Sequence, residues 1–274
     1  MDGTKGGKET VMDEALAGAV TEAMEKHARR SSAILLVNDG EERSLGTATC
    51  VQFGERVLLA TAGHVISTVR QQSDLMITAW GEEPCVEGIP FSRISYRDHL
   101  GDKDVGWIEI DGAVAASRGL QAIDLRSLSP YERPSGSNLY MAYGVPAQFA
   151  KVRRDQNTVD VRITAIGYLT IPVFDVVNDV ELVLEYKGQA WFSNPARGFE
   201  MPNPKGMSGG GIWSLTNFEA EEPWSPTKCR LVGTIRSYRG HEGTLHGVQI
   251  QHWLQLVRDD LPELAAIADE LLER

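Results

Sequence analysis

The chain has little cysteine. Its 274 residues include three, Cys50, Cys85 and Cys229, an odd number at spacings that suggest no disulfide framework. No C-x-x-C or H-E-x-x-H occurs, so a zinc site has no ligand set and no metal is expected. No run of about eighteen apolar residues is present, which excludes a membrane-spanning helix. The start, Met1-Asp2-Gly3-Thr4-Lys5-Gly6-Gly7-Lys8, lacks the apolar core of a secretory signal, and the expectation is a soluble cytoplasmic protein with no membrane partner. Basic residues are also scarce: 27 Lys and Arg stand against 38 Asp and Glu, a net charge of −11, and no basic cluster is interleaved with aromatics. Nucleic acid is therefore set aside as a partner. The acidic surplus reads as a solvated surface that repels acidic substrates.

The length allows a substantial core, in one large domain or two subdomains. Residues 1–9 read as a disordered tail. Residues 11–29 read as an amphipathic helix, with Leu16, Ala19, Val20, Ala23 and Met24 near helical spacing, that either packs on the body of the protein or docks a partner; packing is the plainer reading. Short β-rich runs follow at Ile34–Val37, Gly46–Phe53, Arg56–Thr61, Leu75–Trp80, Ile89–Tyr96 and Asp104–Ile110. A second series covers Asn138–Tyr143, Asp160–Leu169, Val180–Tyr186, Gly209–Leu215, Cys229–Tyr238 and Leu245–Ile250. Between them, Arg126–Gly136 carries Pro130, Pro134 and several serines and reads as a linker. From Trp253 to Leu272 the apolar period becomes helical, with a reset at Asp260-Leu261-Pro262. The expected division is a tail and helix over 1–30, a six-stranded barrel over 31–125, a linker over 126–137, a second six-stranded barrel over 138–250 and a helix over 251–274.

Three segments carry chemistry. They are Thr61-Ala62-Gly63-His64-Val65, Lys103-Asp104-Val105-Gly106-Trp107 and Gly206-Met207-Ser208-Gly209-Gly210-Gly211. A serine hydroxyl is a poor nucleophile until an imidazole takes its proton, and the imidazole needs a buried carboxylate to fix its tautomer. His64, Asp104 and Ser208 supply those residue types. Asp98 and Asp102 compete with Asp104, but neither leads directly into an apolar strand. Taken singly, a histidine after a strand is more often a satisfied core residue than a base; the combination of three blocks gives the functional reading its weight.

With this T-A-x-H block, D-[ILV]-[AG] strand and G-x-S-G-G loop, the chain resembles the chymotrypsin/trypsin-like serine peptidases, in particular bacterial and intracellular members, over roughly residues 32–258. The resemblance implies an all-β fold of two six-stranded antiparallel barrels, His64 and Asp104 in the first and Ser208 in the second, with an N-terminal and a C-terminal helix. It implies an endopeptidase acting on a protein or peptide without a cofactor: Ser208 attacks, His64 carries the proton, Asp104 orients His64, and the Gly206 and Ser208 amides form the oxyanion hole while the Met207 amide is turned elsewhere.

The departures from that pattern are informative. Secreted members carry a disulfide around the catalytic histidine; here Val65 follows His64, which agrees with a reducing compartment. Met207 stands where secreted members have the aspartate that pairs with a new N-terminus after zymogen cleavage, so activation by that route is not expected. Pro202 falls at the primary specificity position, so a trypsin-like preference for Arg or Lys has no support. Arg236, Ser237 and Tyr238 form the other wall of the substrate site, where backbone pairs with an extended peptide. An active cytosolic protease calls for tight control, and an activating partner acting through the N-terminal helix is one expectation.

Other readings compete. A peptide-binding module on the same fold shares every motif and differs in turnover, and an esterase or amidase shares the chemistry. The α/β-hydrolase elbow G-x-S-x-G is also matched, but only 66 residues follow the serine and the strand–helix alternation of that fold is missing. A phosphate-binding loop fails for lack of a Lys-Ser/Thr ending and a following helix. His241 and His246 read as part of a surface hairpin loop, and the six tryptophans as core.

Overall fold

The computed structural model describes residues 14–38, 43–69, 75–79, 88–97, 103–131, 138–155, 158–173, 179–187, 202–215 and 224–273. Asp98, Asp102, Cys85, Trp80, Trp191, residues 132–137 of the expected linker and the N-terminal tail lie outside these residues.

The first sheet contains β1 (Ser32–Asn38), β2 (Arg43–Phe53), β3 (Arg56–Thr61), β4 (Leu75–Ala79), β5 (Phe91–Arg97) and β6 (Val105–Ile110), in the antiparallel order β4-β1-β2-β3-β6-β5. Its two ends meet just before β5, where the Ile89 N–H donates to the Ile77 carbonyl of β4 at 2.7 Å. The second sheet contains β7 (Tyr140–Gly144), β10 (Ile166–Thr170), β11 (Glu181–Glu185), β12 (Gly211–Ser214), β13 (Arg230–Arg239) and β14 (Thr244–Gln249), in the order β10-β7-β12-β13-β14-β11. It curls shut through residues 171–173 beyond β10: Val173 donates to Val183 at 2.8 Å and Glu185 to Ile171 at 3.0 Å. Two curled six-stranded antiparallel sheets with helices at both ends are the chymotrypsin-like double-barrel architecture.

The central strands have continuous apolar runs because both of their faces are buried. In β3, Leu59 faces the interior of the first sheet with Ala48, Cys50, Ile77 and Ile108, whereas Leu58 and Ala60 belong to a separate cluster between the sheets. In β6, Ile108 and Ile110 turn one way and Val105 and Trp107 the other. The same alternation in β12 puts Ile212 inside the second sheet and Trp213 in the shared cluster. Period-2 side-chain direction thus builds three cores from one set of strands.

The shared cluster is completed by helices. From α1 (Glu14–Arg30) come Val20, Met24 and Ala28, with the His27 ring edge-on to Trp213 at 5.4 Å. From α4 (Ile250–Asp260) and α5 (Ala265–Leu272) come Trp253, Leu254, Val257, Ala268 and Leu271. The expected reset between the last two helices occurs at Pro262, which opens a single 3-10 turn, Pro262–Leu264. Among the described residues no helix is long and apolar enough to cross a membrane.

Two sequence expectations need correction, and one helix has no counterpart among them. Asp160–Leu169 is two strands: β9 (Thr158–Ile163) pairs with β8 (Ala150–Asp155) in a separate hairpin, and the chain re-enters the second sheet as β10. Residues Gly112–Ser117 form a short helix, α3, capped by Asp111, whose carboxylate accepts from the Ala113 and Val114 N–H groups at 3.0 Å. His246 is a buried residue of β14, 2% exposed, and only His241 sits in the surface turn. Of the tryptophans within the described residues, Trp107, Trp213 and Trp253 are buried, as core residues should be, and Trp224 is half-buried.

Candidate active site

β3 ends at Thr61, and extended backbone at Ala62 turns the chain into the short helix α2 (Gly63–Ser67), which presents His64. Glycine is needed at position 63, since a Cβ there would run into the Arg97 carbonyl. Asp104 immediately precedes β6 and is 1% exposed. One carboxylate oxygen accepts the His64 backbone N–H at 2.7 Å, and the other lies 2.6 Å from His64 Nδ1. A buried acceptor in that position holds the proton on Nδ1 and leaves the Nε2 lone pair free.

Ser208 lies on the turn leading into β12. Gly206 and Gly209 have φ of +99° and +81°, the left-handed region that side chains with a Cβ rarely adopt. Space is equally restrictive: a Cβ at Gly206 would stand 2.7 Å from the Ala147 nitrogen, and one at Gly209 would strike Thr61 Oγ1 and the Thr47 carbonyl. These constraints direct the backbone amides. The Met207 N–H donates to Pro204 at 2.9 Å, Gly209 to Ile235 at 2.7 Å and Gly210 to Met207 at 2.9 Å. The Gly206 and Ser208 N–H groups have no acceptor among the described residues. Two donors flanking an inward-turned one are left to receive an anionic oxygen.

The turn is joined to the first sheet through Thr47 of β2. Its N–H donates to the Ser208 carbonyl at 2.9 Å, its hydroxyl accepts the Val145 N–H at 3.1 Å, and its carbonyl accepts the Thr61 hydroxyl at 2.8 Å. Sequence reasoning missed this residue, which is one of two threonines in β2 with no motif around it. The Ser208 hydroxyl donates to the Arg236 carbonyl at 3.4 Å, and no hydrogen bond joins it to His64 among the described residues.

The four residues expected to hold substrate divide into two groups. Arg236, Ser237 and Tyr238 continue β13 past Thr234, the last residue that pairs with β12, while β14 accompanies the strand to Arg239. One edge of Ser237–Tyr238 therefore has no strand partner among the described residues. The Arg236 side chain turns inward, with Nη1 2.6 Å from Glu181 and Nε 4.0 Å from Asp104. Pro202 is buried, and its carbonyl accepts the Tyr186 hydroxyl at 2.8 Å. Tyr186 packs against Tyr168 and, edge-on at 5.2 Å, against Tyr238, which is 38% exposed; burial pushes the Tyr168 phenol up to about 12. An aromatic floor thus connects Pro202 to the open edge of β13.

No protein-family model and no curated protein matches the chain in sequence. Among solved structures, the scabies mite inactivated protease paralogue S-I1 is similar to it at 13% identity, over 86% of this chain and 96% of its own, with a TM-score of 0.47.

Proposed function

We propose that the protein is a serine endopeptidase. The observation that carries this reading is the double grip of Asp104 on His64, at 2.7 and 2.6 Å, beside a glycine turn with two unengaged amides flanking the Met207 N–H. In the reaction, Ser208 Oγ bonds to the scissile carbonyl carbon as its proton passes to His64 Nε2. The carbonyl oxygen, now negative, is held by the Gly206 and Ser208 amides. The C–N bond then breaks, His64 gives its proton to the departing amine, and water releases the acyl group by the same route in reverse. Bound peptide extends along the open edge of β13, pairing with the backbone around Ser237 and Tyr238. Proteolysis in the cytoplasm and control by a partner on α1 belong to the same reading; Leu16, 46% exposed, is the large apolar residue that α1 keeps outside the fold.

Fluorophosphonate labelling with mass spectrometry tests this reading. Wild type acquires one adduct, on Ser208, and Ser208→Ala acquires none. A second reading, a peptide-binding module, draws on the Ser208 hydroxyl being bonded to Arg236 rather than His64. Catalytic hydrogen bonds are commonly long before substrate arrives, so this geometry does not outweigh the rest of the site. Failure of wild type to label or cleave, with peptide still bound by Ser208→Ala, would establish the module instead.

A further inference from the structure

Asp104 has a second charged neighbour besides His64. Arg236 reaches it from β13, at a register shift between Ile235 and Ser237 where the strand bulges. With its side chain 20% exposed, the guanidinium stands between two carboxylates: Asp104 Oδ2 at 4.0 Å from Nε, and Glu181 Oε1 at 2.6 Å from Nη1. Glu181 begins β11, on the far side of β14, and its side chain is 14% exposed. Its other oxygen faces His246 Nδ1 at 3.6 Å. The result is a line of groups, His64, Asp104, Arg236, Glu181 and His246, that starts at the proposed base and ends inside the second sheet.

We infer that Arg236 and Glu181 are a charge-balanced pair of positioning residues beside the Asp104 carboxylate that set the pH at which His64 takes up a proton. This rests on the peptidase reading above. The physical reason is a balance of fields in a poorly solvated place. The Asp104 charge favours an imidazolium at His64, and a lone arginine beside Asp104 would weaken that effect. Glu181 compensates the arginine, so Arg236 can stand 4.0 Å from the carboxylate without drawing off its field. A small neutral residue at position 236 would leave Glu181 partly buried without its 2.6 Å partner.

The other charged groups around the line have hydrogen-bond or ionic partners of their own. The Lys103 ammonium, next to Asp104, donates to Gln255 at 3.3 Å. Arg97, behind α2, is bonded to Asp259 at 2.6 Å. Around His246 stand Glu242 at 3.8 Å and, beyond it, Arg239, 3.7 Å from Glu242. Besides His64, Arg236 is the cation that lies within 4.0 Å of Asp104 among the described ion pairs.

The test is a ring-labelled histidine NMR titration of intact protein, with the His64 signal assigned by His64→Gln, alongside the pH dependence of fluorophosphonate labelling. Removing the cation with Arg236→Met raises the His64 midpoint by up to about one pH unit, and removing the counter-anion with Glu181→Gln lowers it by a similar amount. The double variant R236M/E181Q returns toward wild type. The His64 midpoint in Arg236→Lys stays close to the wild-type one, since the charge is kept. The acid limb of the labelling profile moves with the midpoint. A merely structural role would move both single variants the same way or neither, and either result overturns the inference. If R236M does not fold, E181Q decides alone: an unmoved or raised midpoint refutes the proposal. Opposite midpoint shifts in a protein that never labels would uphold the charge line while refuting the peptidase reading. Normal labelling with unmoved midpoints would do the reverse.

Discussion

A single glycine shows how narrowly the site is constrained. Gly209 combines a φ of +81° with contact distance to Thr61 and Thr47, so it sits where both conformation and space forbid a side chain. Gly209→Ala should cost at least about 1 kcal/mol from conformation alone, with more from the clash, and urea melts read the loss. Labelling of Ser208 should fall more steeply than stability, because the same turn aims the two free amides. Asp104→Asn tests the tautomer. The amide nitrogen cannot accept from Nδ1–H, and labelling should drop by about 10⁴ while the melting behaviour changes little in comparison. These residues were legible in the sequence because glycines, serine, histidine and aspartate were grouped in recognisable blocks. Arg236 was legible only as part of a substrate-binding wall. Its inward turn depends on a strand bulge and on Glu181, 55 residues away in sequence, and no local pattern announces either.

Among elements, α4 has the widest structural reach. Trp253, Leu254 and Val257 are fully buried in the cluster between the sheets, and the Asp260 carboxylate at its end accepts the Trp107 indole N–H of β6 at 3.0 Å. Leu254→Ala should destabilise by about 2–5 kcal/mol in equilibrium denaturation, the range for deleting a buried leucine side chain. Because Trp107 lies three residues from Asp104, the loss should also slow Ser208 labelling under conditions where the variant is still folded. The helical period made this element legible from Trp253 onward. The β8–β9 hairpin was not: its second strand and β10 form a nearly continuous apolar and β-branched run, and the break at Thr164-Ala165 has no glycine or proline to mark it.

For the whole molecule, pH acts through buried and half-buried histidines whose charged form is disfavoured by the fold. Burial is the leading cause holding His27, His246 and His252 below the ordinary value of 6.5, aided by Arg30 at His27 and Arg239 at His246. The unfolded chain binds these protons more readily than the folded one, so stability rises with pH wherever the two differ. The expected result is full stability above about pH 7 and a falling Tm as pH drops below 6.5 toward the depressed folded values. His252→Gln should flatten that slope, which calorimetry between pH 5 and 8 would show. The buried thiols of Cys50 and Cys229, both pushed up to about 12 by burial, should resist alkylation until the protein unfolds.

By itself the sequence determined the two series of strands, the terminal helices and the candidate site residues, since side-chain period and short motifs are local properties of a chain. Tertiary structure decided everything that requires two distant segments to meet: the grip of Asp104 on His64, the Thr47 link between the sheets, the open edge of β13 and the inward turn of Arg236 toward Glu181. Burial decided the rest. The same histidine letter is a half-exposed ring at position 64 and a buried neutral one at 246, and only the packing of strands around each separates them.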